Sequence, residues 1–78
     1  MQAKHQIQNI HFESDHMYLT IDNKQLKINL SDISDKLRDA SVNLRNDYRI
    51  SPSGYGIHWK QLDEDLSISG ILKIAQCI

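Results

Sequence analysis

Asp63-Glu64-Asp65 is the densest group of reactive side chains in this sequence. Clustered carboxylates can ligate Mg²⁺ or Ca²⁺, or share a proton as an acid–base pair. Acids just ahead of a helix have a second use. They stabilise its positive end by roughly 0.3–1 kcal/mol each, and one of these can pair with Arg49 or Arg45. No EF-hand spacing surrounds the triplet, so the structural use is expected. The four histidines are scattered. His11 and His16 flank one turn and can face each other across it, while His5 and His58 lie elsewhere. Zinc needs three or four ligands in fixed geometry, and no H-x-x-x-H, C-x-x-C or H-E-x-x-H spacing is present. His58, beside Trp59 in an apolar stretch, is expected to be hydrogen-bonded and partly buried. The single cysteine, Cys77, sits two residues from a chain end expected to fray, with no base placed to activate it.

Ser51-Pro52-Ser53-Gly54-Tyr55-Gly56 has the look of a phosphate loop but lacks the G-x-x-x-x-G-K-[ST] arrangement. Its proline fixes φ and its glycines permit positive φ, so a tight reversal is expected. Loops carry function disproportionately, which makes this one the best candidate surface for a partner. Tyr18, Tyr48, Tyr55 and Trp59 are large enough to anchor an interface, as such aromatics often do together with arginine. Trp59 has a competing use: it can fill the core while the tyrosines edge it. The candidate interaction surface is therefore Arg45, Arg49, Tyr55, Trp59, Asp63, Glu64 and Asp65, with no catalytic, metal-ligating or cofactor-binding residue assigned.

These residues must be positioned by a short chain. Seventy-eight residues make one domain, spanning residues 1–78. A chain of this length buries only about 60–65% of its unfolded surface, and its core supplies about 3–5 kcal/mol of net stability. One cysteine allows no internal disulfide, which favours an intracellular, cytoplasmic location. The start leads directly into a strand-like pattern without a signal peptide, and no apolar run is long enough to span a membrane. Nine Lys and Arg oppose ten Asp and Glu, for a net charge of −1. That balance is not the footprint of a protein that grips a phosphate backbone.

Apolar periodicity places the elements. Residues 7–12 predict a strand with Ile10 and Phe12 inward and Ile7, Asn9 and His11 on the other side. Met17, Leu19 and Ile21 share one face of a second strand. Asp22-Asn23-Lys24 is a hairpin turn, and Leu26, Ile28 and Leu30 line the returning strand. At Ser31 the period changes. Ser31 or Asp32 can cap a helix with Ile33 and Leu37 inward, and Ser41 can cap a second with Leu44 and Tyr48 inward. Lys36, Arg38, Arg45 and Arg49 balance Asp32, Asp35, Asp39 and Asp47 there, which predicts a solvated face. Arg49-Ile50 then pairs with Ile57-His58-Trp59 across the glycine turn. Ser67 caps a last helix with Ile68, Ile71 and Leu72 at helical spacing; Gly70 within it costs about 1 kcal/mol relative to Ala. The expected fold is α+β: a small, mostly antiparallel sheet of about five short strands with two or three short helices packed on one face. An exposed sheet edge is expected near residues 7–12 or 25–30.

The run Tyr48-Arg49-Ile50-Ser51-Pro52-Ser53-Gly54-Tyr55-Gly56-Ile57-His58-Trp59, followed by Leu62-Asp63-Glu64-Asp65-Leu66-Ser67, resembles the signature of the bacterial domain-of-unknown-function family 2442 (DUF2442). Leu37, Ala40-Ser41 and Arg45 sit where that family tends to have a short helix and a break, and the hairpin of residues 17–30 fits its N-terminal strands. The resemblance covers about residues 7–72. The combined Gly-x-x-x-Trp-x-x-Leu-Asp-Glu-Asp pattern is specific, although its parts are not. It implies a small α+β domain that in some proteins precedes a helix-turn-helix, with no established catalytic residues or cofactor. Members encoded beside another small protein have led to proposals of toxin–antitoxin pairs. With Ile78 as the last residue no appended helix-turn-helix is expected, and Ser41-Val42 stands where a Thr-Pro-like helix start is usual.

Three functions are then in contention. The leading expectation is a non-catalytic protein-interaction module without a cofactor, antitoxin-like, with an unidentified small bacterial protein as partner and a homodimer as the other way to extend so small a core. The second is a nucleic-acid-associated regulator using Lys36, Arg38, Arg45 and Arg49, with Tyr55 and Trp59 as stacking groups. The third is a metal-binding enzyme built on the acidic triplet and His58. No membrane partner is expected.

Overall fold

A computed structural model describes residues 5–78. Alternating apolar residues build the first sheet. β1 (Ile7–Glu13), β2 (His16–Ile21) and β3 (Lys24–Asn29) are antiparallel neighbours, and β7 (Gln76–Cys77) adds to the free side of β3. Met17, Leu19 and Ile21 from β2 and Leu26 and Ile28 from β3 are buried, while Tyr18, Thr20, Gln25 and Lys27 occupy the other face. Asp22 and Asn23 reverse the chain with both residues at positive φ (51° and 70°), the geometry that suits a two-residue hairpin between right-twisted strands.

β1 departs from simple alternation. Gln8 faces Thr20 and His11 faces Tyr18, so Asn9 and Ile10 together oppose Leu19. Asn9 takes the extra position in a left-handed conformation (φ 57°). This bulge switches the parity of the strand. Ile7 therefore shares the half-buried side with Ile10 and Phe12, not the exposed side expected for it with Asn9 and His11. His11 and His16 do not meet across the turn; the His11 ring stacks on Tyr18 at 4.9 Å and His16 tilts toward the same ring at 6.5 Å.

The helical segment is broken into three pieces by its polar residues. Asn29, not Ser31 or Asp32, caps α1 (Leu30–Ile33), its side chain accepting from the Ser31 N–H. Ser34 then adopts extended backbone and caps α2 (Asp35–Asp39) by accepting from the Leu37 N–H at 3.2 Å. A serine that can bond its own backbone neighbourhood competes with a continuous helix. Ser41 caps α3 (Val42–Arg45) as expected. A second antiparallel sheet follows: β4 (Arg49–Ile50), β5 (Gly56–Trp59) and β6 (Glu64–Ser67). Ser67 closes β6 and caps α4 (Ile68–Ile74), accepting from the Gly70 N–H at 3.0 Å. Gly70 is matched to that cap, because a Cβ there would sit 2.8 Å from Ser67 Oγ. Ile68 and Ile71 are buried, whereas Leu72 faces outward. The α+β class stands, with the described strands numbering seven in two sheets instead of about five in one.

Leu30, Leu37, Ile57, Trp59, Leu66, Ile68 and Ile71 join the buried residues of β2 and β3 in one continuous core. Arg45 ties its periphery together. Its residue exposure is 9%, so it leaves the solvated face expected for it. Nε donates to the Leu37 carbonyl at 2.9 Å, Nη2 to the Arg38 carbonyl at 2.7 Å and Nη1 to the Ser14 carbonyl at 2.6 Å. The guanidinium also lies 5.8 Å from the centre of the Phe12 ring. Five N–H donors in a planar fork suit this divergent set of carbonyls as a point-like ammonium does not.

Residues 5 and 6 are fastened to the β2–β3 turn. The Asp22 carboxylate accepts from the Gln6 N–H at 2.9 Å and contacts His5 Nδ1 at 2.7 Å, and the Asp22 N–H returns a bond to the Gln6 carbonyl. The Gln6 backbone donor first, and His5 second, hold the Asp22 carboxyl below the usual aspartate range.

Two predictions follow from these ties. Arg45→Ala leaves the Ser14 and Arg38 carbonyls without this donor, and the Leu37 carbonyl with only the Ala40 N–H, and should cost about 3 kcal/mol or more. That approaches the whole stability of so small a domain, so urea titration followed by the single tryptophan should find the variant largely unfolded, with Arg45→Lys in between. For Asp22 the unfolded carboxyl titrates near ~3.9 and the folded one lower. Its stabilisation is therefore present above the unfolded value and lost as pH falls through the folded one. NMR titration should place the Asp22 midpoint below that of a free aspartate, and Asp22→Asn, which tolerates the left-handed turn, should flatten the acid limb of the stability profile.

Candidate functional site

The second sheet presents the candidate site because strand alternation splits its side chains between two faces. Ile57 and Trp59 on β5 and Leu66 on β6 turn into the core. The register pairs Arg49 with His58 and His58 with Asp65, so these three residues form one row across β4, β5 and β6 on the opposite face. The Asp65 carboxylate can only accept, so His58 Nδ1–H donates to its Oδ1, at 2.5 Å, and Nε2 is left for another partner. Arg49 is exposed and, among the described residues, its guanidinium has neither an ion pair nor a hydrogen bond. Arg38, by contrast, pairs with Asp35 and Asp39, which raises its own pKa and lowers that of Asp39.

Beside this row the connection between β4 and β5 folds into a compact turn. Ser51 Oγ accepts from the N–H groups of Tyr55 and Gly56, and Gly54 N–H donates to the Ser51 carbonyl. Gly54 has φ 73° and lies directly against the His5 backbone, where a Cβ would drive into the carbonyl oxygen. Gly56 crosses β6 closely, with 2.9 Å between its would-be Cβ and the Leu66 carbonyl. The expected turn is thus present, and its glycines are needed for backbone approach. Between the turn and the row opens a groove of about 520 Å³ whose walls include Ile50, Pro52, Tyr55, His58 and Ser67. Ile50 and Tyr55 remain 38% and 44% exposed in it.

Three of the seven candidate residues, Arg49, Tyr55 and Asp65, meet at this groove. Of the others, Arg45, Trp59 and Glu64 are used internally, and Asp63 sits exposed in a turn. Trp59 is fully buried, packs at 6.0 Å on Tyr48 and donates Nε1–H to the Arg45 carbonyl at 2.8 Å. It therefore neither anchors a partner nor stacks on a base. Arg45 is occupied as described above. The acidic triplet does not act as a unit. Asp63 forms the left-handed corner of the β5–β6 turn (φ 51°), and its carbonyl accepts from Lys36 Nζ. Glu64 points inward and accepts from Ser34 Oγ at 2.6 Å, while Asp65 points out to His58. The expectation that these acids precede a helix and neutralise its end, or pair with Arg49 or Arg45, is overturned: Glu64 and Asp65 lie in a strand. Among the described residues no group of three His, Cys, Asp or Glu side chains is arranged to hold a metal ion.

Ile50 and His58 belong to the groove although neither was expected on the interaction surface; His58 was a candidate only for a metal-binding enzyme. The signal for them is the alternation of Glu64, Asp65, Leu66 and Ser67, which reads as a strand once it is set opposite Ile57-His58-Trp59. Pairing those two runs puts His58 beside Asp65. Cys77, expected at a frayed end, is instead paired with Leu26 through β7 and exposed.

The family described as Protein of unknown function (DUF2442) matches residues 7–76, nearly the whole chain. The chain belongs to this family. The match includes the N-terminal hairpin, the groove and the first residue of β7. Among curated proteins and solved structures no significant match is found. No helix among the described residues of this DUF2442 domain is long and apolar enough to cross a membrane.

Gly54→Ala tests the turn. A left-handed residue with a Cβ costs roughly 1–2 kcal/mol, and the contact with His5 adds to it. Thermal unfolding should show a clear loss of stability, and amide exchange should rise at residues 5–6 and 51–56 before the rest of the domain.

Proposed function

We propose that this domain is a non-catalytic protein-interaction module that engages a partner through the groove on the β4–β5–β6 sheet. The observation that supports this most directly is the open groove itself. It combines half-exposed apolar groups, Ile50 and Tyr55, with an arginine that has no partner among the described residues. Aromatic and arginine side chains around a concave apolar patch are the usual makings of an interface hot spot. In its more specific form the proposal is an antitoxin-like accessory protein whose partner is another small bacterial protein, in line with what the family resemblance implies. The nucleic-acid reading loses two of its supports, because Arg45 and Trp59 are both buried.

The test compares the wild type with Tyr55→Ala combined with Ile50→Ser, after circular dichroism shows that both fold. Truncating two central anchors should weaken a genuine interface at least about tenfold. Tagged protein recovered from source cells after nuclease treatment should carry a stoichiometric protein partner that the double variant fails to retain. A partner retained equally by the variant, or nucleic acid as the sole companion when nuclease is omitted, would overturn the proposal.

A further inference from the structure

The groove carries a charge pattern from which the chemistry of its partner can be argued, resting on the reading that the groove is a docking surface. The three arginines of the chain have three different fates. Arg38 is held by two aspartates and Arg45 by three carbonyls, while the Arg49 side chain has no partner among the described residues and stands at the β4 edge of the groove. At the other edge, on β6, the Asp65 carboxylate is 76% exposed and bonds His58 through one oxygen only. β5 lies between them, and neighbouring strands are ~4.8 Å apart, which sets the backbones that carry the two charges roughly 10 Å apart across the sheet. His58 stands between them in the row, and Pro52 and Tyr55 of the turn, with Ile50 at the sheet edge, supply the apolar lining of the groove beside it.

We infer that the occupant is a segment of a partner protein that presents a carboxylate to Arg49 and a basic side chain to Asp65, with an apolar side chain seated between them. A uniformly negative polymer is a poor match, because the phosphates that follow one bound at Arg49 would approach Asp65. A purely apolar segment would leave Arg49 unanswered at the rim and add nothing to the free oxygen of Asp65. The pair sets the direction in which the segment lies, since reversing it brings like charges together, and such juxtaposition serves specificity and register more than raw affinity.

A random peptide library displayed on phage, selected against the folded protein, provides the test. Enriched peptides should carry Asp or Glu and Lys or Arg flanking an apolar residue. In isotope-labelled protein they should shift the amides of Ile50, Tyr55, His58 and Ser67. Arg49→Glu should weaken them about fivefold or more, and exchanging the peptide acid for lysine should restore binding to that variant. Arg49→Gln, which removes the charge with little change in size, should give an intermediate loss and guards against a folding defect in the reversal. Peptides that shift the groove amides but lack an acid, or that ignore both Arg49 substitutions, would overturn this inference and leave the docking reading standing. Peptides that map elsewhere, or no enriched family, would overturn both.

Discussion

Arg45 donates its guanidinium to the carbonyls of Leu37, Arg38 and Ser14, and its own carbonyl accepts the Trp59 indole N–H. One residue thus joins the end of α2, the β1–β2 turn and the central strand of the second sheet. A charge withdrawn from water costs several kcal/mol unless it is fully bonded. The three carbonyls, with the Asp15 carboxylate 3.8 Å away, supply that compensation. The arrangement also answers a problem set by the short helices. Four- and five-residue helices end almost as soon as they begin and leave carbonyls open. The arginine fork closes one of them at the end of α2, the Arg38 carbonyl, and adds a second donor to the Leu37 carbonyl beside the Ala40 N–H. Its burial in turn presents the Arg45 backbone to Trp59, so the indole can be fully enclosed without an orphaned donor.

The second sheet is seated by that indole and by Glu64. Both belong to the same non-outward row, with Trp59 facing Glu64 across β5 and β6, and each is bonded to the helical segment, to Arg45 and to Ser34 respectively. Once these two are turned inward, alternation leaves His58 and Asp65 no choice but the outer face. The candidate groove is therefore a consequence of core packing. The same contacts that hold the sheet against the core set its polar row, and the His5–Asp22 clasp with Gly54 holds the adjoining turn.

Much of the architecture was legible in local signals. The β2–β3 hairpin follows from clean alternation and an Asp-Asn turn, both of which act over a few residues. Ser41 and Ser67 are caps because a serine ahead of an apolar helical pair has that use almost regardless of surroundings. The pairing of Arg49-Ile50 with Ile57-His58 follows from the intervening proline and glycines. Elsewhere the local signal misleads. The parity of β1 changes at Asn9, a residue that differs from any other polar strand residue only in its left-handed backbone. Ser34 breaks a helix whose Ile33 and Leu37 have ideal spacing, because it also reaches Glu64 thirty positions away. The acids after Leu62 read equally well as a helix entrance, and only the partner strand decides that they are a strand.

By itself the sequence determined the class of the protein: a small α+β domain of the DUF2442 family with its hairpin, its caps and its glycine turn. Each of these rests on interactions between residues close in the chain or on a motif contained in one run. The tertiary structure alone decided what Arg45, Trp59, Glu64 and Asp65 do. An arginine among balanced charges reads as solvated until three distant carbonyls surround it. A tryptophan reads as anchor or core until its N–H finds the Arg45 carbonyl. Three consecutive acids read as one cluster until strand geometry sends Glu64 inward to Ser34 and Asp65 outward to His58. Burial and charge pairing are properties of neighbours in space, and for these residues the neighbours are too far along the chain for local pattern to reveal.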